Sequence, residues 1–217
     1  VLQGCSPHQE QTMPSHAFSR PLVFYRVFAA ALIAAFFVSA SAKANDAEDR
    51  LGVPGPISFD GADYALAWSS NPSPGYFKQE YVPAGQVVER YQSMMMVEAA
   101  VGVNVNAALA AQTNMLNQRK GSDPLVNLDV IRNEQSGEII LDFIVSATDE
   151  KGEFIAEWNA YRYASLPDGQ GTMLFAISRR AYGDEDVRAF LGSLRTVRPD
   201  QINKIAQQTL PTVTLPQ

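Results

Sequence analysis

The sequence predicts an α+β fold: an antiparallel sheet, built from an N-terminal hairpin and a four-strand meander, packed with about three helices. Three observations predict it. Between Val126 and Tyr182, runs of alternating apolar and polar residues are separated by turn-forming clusters every ten to fifteen residues, the pattern of an antiparallel meander. Upstream, the dense turn signal SSNPSPG (Ser69 to Gly75) lies between two strand-like runs. Three further segments carry apolar residues at helical spacing.

The elements follow in order. Asn45 to Asp60 is polar and then rich in Gly and Pro, a leader without a core of its own. Tyr64 to Trp68 and Tyr76 to Val82 form the hairpin. Gln86 to Ser93 reads as a short helix with Val87, Val88 and Tyr91 on one side. Met94 to Val97 reads as a short strand. Asn104 supplies a helix N-cap, and Gly121 stops that helix after Lys120. The meander comprises Val126 to Arg132, Glu138 to Thr148, Phe154 to Ser165 and Thr172 to Tyr182. Asp184 caps a last helix to about Thr196. Pro199-Asp200 starts a further short one to Gln208, and residues 209–217 form a loose tail. The domain proper thus spans 61–208.

The first 44 residues have a different character. Arg20 and Arg26 flank an acid-free stretch, followed by the apolar run VFAAALIAAFFV and by small residues. Positive region, short apolar region and small-x-small site are the order of a secretory signal. Cleavage is expected after Ala44, with Ala42 as the alternative, and the expected location is periplasmic or secreted. Extended through Ala42 the run reaches only 16 residues, short of the roughly 20 that span a bilayer. Met13 is a natural start for such a signal, which would leave Val1 to Thr12 as untranslated upstream sequence.

Cleavage would also define the chemistry. Cys5, His8 and His16 are the only cysteine and histidines, and all precede the cut. A chain beginning at Asn45 has no disulfide, no Cys nucleophile and no Ser-His-Asp triad. Zinc and copper sites, which lean on imidazole and thiolate, are disfavoured, so neither cofactor nor metal is expected. Removal of the segment leaves 14 basic against 22 acidic residues. That balance argues against a nucleic-acid partner, and membrane association is expected only through the export signal.

The stretch from Tyr64 to Met96, with Glu80-Tyr81-Val82-Pro83-Ala84-Gly85-Gln86 at its centre, resembles small exported bacterial proteins of unknown function. The meander and the segment Phe190 to Arg198 are similar in element order to the PsbP-like α/β fold. That resemblance implies a non-catalytic accessory role and carries over no functional residue.

The residues themselves offer one dense segment. Glu157, Trp158, Tyr161 and Arg162 lie on one strand, and Arg179 and Arg180 on the next. Side by side they could form an anion-binding surface with aromatic walls, or simply cross-strand ion pairs. Asp142, between Ile140 and Ile144, is either an acid of raised pKa or the partner of an Arg from a neighbouring strand. Met94, Met95 and Met96 could attract a soft metal, but on a strand they alternate faces and suit core packing. Asp149 to Glu153 has the acidity of a calcium loop without its spacing. No S-x-x-K or G-x-S-x-G pattern occurs after the signal. The function expected is a non-enzymatic exported binding or accessory module, its partner an unknown protein or a small anionic ligand. The alternative is a hydrolase or lyase using carboxylate and Tyr groups. N-terminal sequencing of the exported protein should find a start at or near Asn45; a retained apolar segment would contradict the cleaved signal.

Overall fold

The structure is a computed structural model and describes residues 47–167 and 169–216. The segment expected to be an export signal, with Ala42 and Ala44 at its cut, and Cys5, His8 and His16 lie outside the described residues. The α+β expectation is overturned. The described chain is mostly antiparallel sheet, eight strands forming a half-barrel, with two helices rather than about three. The expected hairpin and separate four-strand meander are also corrected: their strands belong to one continuous eight-stranded sheet. In chain order the elements are β1 (Ile57–Phe59), β2 (Ala62–Ser73), β3 (Tyr76–Pro83), β4 (Ser93–Val101), α1 (Val105–Arg119), β5 (Asn127–Arg132), β6 (Ile139–Thr148), β7 (Phe154–Ser165), β8 (Gly171–Tyr182) and α2 (Asp184–Gln207). Spatial order is β1-β2-β3-β4-β8-β7-β6-β5, so two four-strand runs are joined where β4 pairs with β8.

Local chemistry accounts for the differences. β1 and β2 are joined by the two residues Asp60 and Gly61, at φ of 50° and 77°, between the partners Phe59 and Ala62. Asp-Gly tolerates the left-handed conformation that a tight hairpin needs. The segment 86–93, expected as a helix, is a loop closed by the bridge Val87↔Arg90. The Gln86 side-chain oxygen accepts from the backbone N–H of Gln92 and Ser93 at 2.7 and 3.2 Å. Eight residues nucleate a helix poorly, and here the chain must only return from β3 to β4. The two expected C-terminal helices are one, with Pro199 inside it. Its N-cap is Gly183 rather than Asp184, and Asp184, Glu185 and Asp186 complement the dipole from within the first turn.

Both faces of the sheet are covered. α1, capped by the Asn104 side chain on the Ala107 N–H at 2.9 Å, packs Val105, Leu109 and Leu116 over Leu141, Phe143, Leu174 and Ala176. On the opposite face α2 sets Ile205, with Phe190, Leu194 and Ile202, over Trp158, Ala160, Phe175 and Ile177. β4 shows the consequence: Met95 faces the α2 layer, Met94 and Met96 the α1 layer, and all three are buried. Three consecutive methionines therefore pack two cores and do not converge. The tail, expected to be loose, is not. Val213 is buried beside Leu51 and Val53, and the Thr214 N–H donates to the Leu51 carbonyl at 2.7 Å.

β8 begins at a glycine for a steric reason. A Cβ on Gly171 would sit 2.5 Å from the Ala100 carbonyl oxygen and 2.8 Å from Leu166 Cδ1. Backbone cannot yield as a side-chain tip can. Gly171→Ala should therefore destabilise the domain by about 1–3 kcal/mol, as overpacking does. Denaturant unfolding checks this; an unchanged midpoint would show that β4 and β8 can part at no cost.

Candidate functional site

The candidate residues do not form one surface. Strand alternation divides them: Asp142, Trp158, Arg162 and Arg179 share the face of Ile140, Ala160 and Ile177 under α2, while Glu157, Tyr161 and Arg180 share the α1 face. Arg179 and Arg180 are neighbours in sequence and so point to opposite layers.

On the α2 face, the polar groups fasten the helix. Asp142 is 2% exposed. Its Oδ1 accepts from Trp158 Nε1 at 2.7 Å, and its Oδ2 from Arg198 Nε at 2.5 Å. The arginine comes from α2, not from a neighbouring strand. Arg162 donates to both Glu138 oxygens and, through Nη1, to the carbonyls of Ile205 and Gln208 at 2.9 and 2.7 Å. A cation at these last carbonyls satisfies the helix C-terminus and its dipole. Asp60 accepts from Lys204 and Gln201, both at 2.6 Å, and from Arg179 at 3.2 Å. The Lys204 ammonium holds the Asp60 carboxyl below its ordinary range.

On the α1 face, Glu157 is the centre of a buried network. Its Oε2 accepts from the Tyr91 hydroxyl at 2.7 Å and from Arg180, which stacks 4.1 Å from the Tyr91 ring centroid. Arg180 Nη2 also donates to the Tyr91 oxygen at 2.9 Å. Tyr161 lies edge-on to Phe143, centroids 4.8 Å apart. Ser178 donates to the Asn159 side-chain oxygen.

Sequence reasoning passed over the other half of this network. β3 presents Tyr76, Lys78 and Glu80 to the same layer, and β4 presents Glu98. Lys78 Nζ lies 2.9 Å from Glu80 and 3.7 Å from Glu98, and the Tyr76 hydroxyl donates to Glu98 at 2.6 Å. The signal was present: three polar or amphipathic residues at every second position of a strand, Tyr76-x-Lys78-x-Glu80.

The electrostatics hold these groups in their resting forms. Burial disfavours the Lys78 charge, but Glu80 and Glu98 outweigh it and raise its pKa. Burial, with nearby carboxylates, raises Tyr91 and Tyr161 well above the ordinary phenol value. The lysine stays an ammonium and the tyrosines stay donors, neither poised as a base at neutral pH. The described residues contain no group of three or more Asp, Glu, His or Cys arranged for a metal ion. Two shallow grooves accompany the fold. One of about 440 Å³ lies beside the β5–β6 turn, and one of about 400 Å³ between the leader and the tail.

Residues 51–210 match an uncharacterised protein family. No curated protein and no solved structure matches the chain.

Asp142 permits a pH prediction. Burial raises its pKa, opposed by Trp158 and Arg198 and reinforced by Asp129. A raised folded-state value means that, between it and the ordinary Asp value, the folded state binds more protons than the unfolded. Its contribution to stability therefore grows as pH falls through that window. Asp142→Asn removes this dependence. Wild type should gain stability relative to the variant as pH falls from neutral towards the ordinary Asp value, measured by urea unfolding. Parallel pH profiles would refute the assignment.

Proposed function

Taking as premise that the chain belongs to the family matched over residues 51–210, we propose that it is a non-enzymatic exported protein, a binding or accessory module of the periplasm or cell envelope. The observation that carries the reading is the engagement of the chemically dense residues. Asp142 is held by Arg198, Glu157 by Arg180 and Tyr91, and Glu138 by Arg162. Two of these pairs fasten α2 to the sheet, and the third ties β7 and β8 to the loop that carries Tyr91; in that use the groups are structural. The apolar run Val27 to Val38, read as part of an export signal, supports the envelope location.

The partner we propose is a protein rather than a small anion. Arg162, Arg179 and Arg180 each face a carboxylate of the chain itself and are split between two layers. A small anion would have to displace those carboxylates.

The test has two arms. The purified chain, incubated with panels of ester, glycoside and peptide substrates, should show no turnover. Immobilised chain should retain a saturable protein partner from an envelope extract. Turnover that Glu157→Gln or Tyr161→Phe abolishes would establish the carboxylate/Tyr enzyme instead.

A further inference from the structure

The two edges of the sheet are built differently. At one edge β1 is three residues long, and β2 beyond it carries Pro72 and two register shifts. Bulges, proline and a short outer strand discourage further pairing. At the other edge β5 is regular along all six of its residues, Asn127 to Arg132, paired in unbroken register with β6 on one side only. No other backbone segment hydrogen-bonds to it among the described residues.

β5 also holds an uncompensated charge. Asp129 is exposed and directly opposite Asp142 in the β5–β6 register. Like charges directly opposite each other destabilise a strand pair, and Asp129 adds to the forces that raise the Asp142 pKa. Asp142 has Arg198 as its cation; the contact of Asp129 is with the neighbouring Val130 N–H, at 2.8 Å. Two residues along the same face, Ile131 is 39% exposed and lines the 440 Å³ groove with Ile140 and Ala206.

We propose that β5 receives an extended segment of a partner protein as a ninth, antiparallel strand, with a basic side chain opposite Asp129 and an apolar one opposite Ile131. Because the added strand runs antiparallel, its motif in chain order is apolar-x-basic. The edge N–H and C=O groups supply affinity, the Val130 N–H once Asp129 turns from it to the incoming basic group, and the alternate side chains supply selectivity. The basic residue answers the Asp129–Asp142 repulsion, and the apolar one fills the groove.

A second copy of β5 fits less well. Antiparallel self-pairing about a two-fold axis normal to the sheet must centre on one residue. Centred on Val130, it sets Leu128 against Arg132 and Asp129 against Ile131. Centred on Ile131, it sets Val130 against Arg132. Centred on Asp129, it opposes the two acids. Each of these three registers leaves a charge facing an apolar residue or its like, and centring on Leu128 pairs only Asn127 to Asp129 and leaves half of the strand uncovered.

The proposal rests on the binding-module reading and specifies its surface. The test uses the full chain and two eight-residue peptides of alternating threonine and valine. One carries valine-threonine-lysine at its centre, the other valine-threonine-glutamate. The lysine peptide should slow amide exchange across residues 127–132 and bind about fivefold tighter than its counterpart, the scale of a cross-strand charge pair. Asp129→Lys, at an exposed position that the fold does not depend on, should invert the preference. The assignment is overturned if the peptides protect another region or none, or if the preference survives Asp129→Lys. Concentration-dependent protection of 127–132 without peptide would assign the edge to a second copy and overturn it equally. If β5 stays unprotected while the envelope extract still yields a partner, the edge proposal fails and the binding reading stands.

Discussion

The pairing of β4 with β8 is the contact on which the rest depends. It runs from Ser93 opposite Arg179 to Val101 opposite Gly171, and turns two local antiparallel runs into one sheet. Because a helix covers each face, every residue near the seam is assigned to one of two cores by its parity alone. Met95, Val97 and Phe175 serve one layer, and Met96, Leu174 and Ala176 the other. A one-residue slip at the seam would exchange the two sets along the whole half-barrel. The close approach of Gly171 to the Ala100 carbonyl pins the register at one end, and the bond from the Arg180 N–H to the Gln92 carbonyl pins it at the other.

The same parity organises the charges. Each helix meets the sheet through an apolar stripe and a few charge-assisted hydrogen bonds. Those on the α2 face are directional: Arg162 reads the last carbonyls of the helix, Arg198 reaches down to Asp142, and Asp60 gathers Lys204, Gln201 and Arg179. Such pairs add little net stability when buried, but they penalise a helix docked one turn out of place. They set position rather than depth of the energy well.

The four later strands were legible because alternation and turn residues agree along them; their observed ends differ by a residue or less. The first strand was missed although Asp60-Gly61 is a strong hairpin signal, because the preceding Gly and Pro suggested a leader. The helix expected at 86–93 came from three apolar residues whose spacing also suits a tight loop. The break expected at Pro199 did not occur, since residues on both sides of it are tied to the sheet. For the site, sequence could place Glu157 beside Arg180 across a hairpin. The alternation Tyr76-x-Lys78-x-Glu80 was visible, but not that β4 pairs with β8, which brings these residues and Glu98 to the layer of Glu157. Strand order is a property of the fold and not of any local pattern.

The strap between Leu51 and Thr214 joins the beginning and the end of the described domain. A nascent chain can assemble β5 to β8 from local contacts, but the corner of the core under Leu51 and Val213 remains open until the segment around Val213 has been made. Closure is therefore a late, long-range event with a large loop to bring together. A chain cut before Val213 should persist as an open, degradable species rather than as a slightly shortened native one. The architecture in this sense registers whether the segment around Val213 is present.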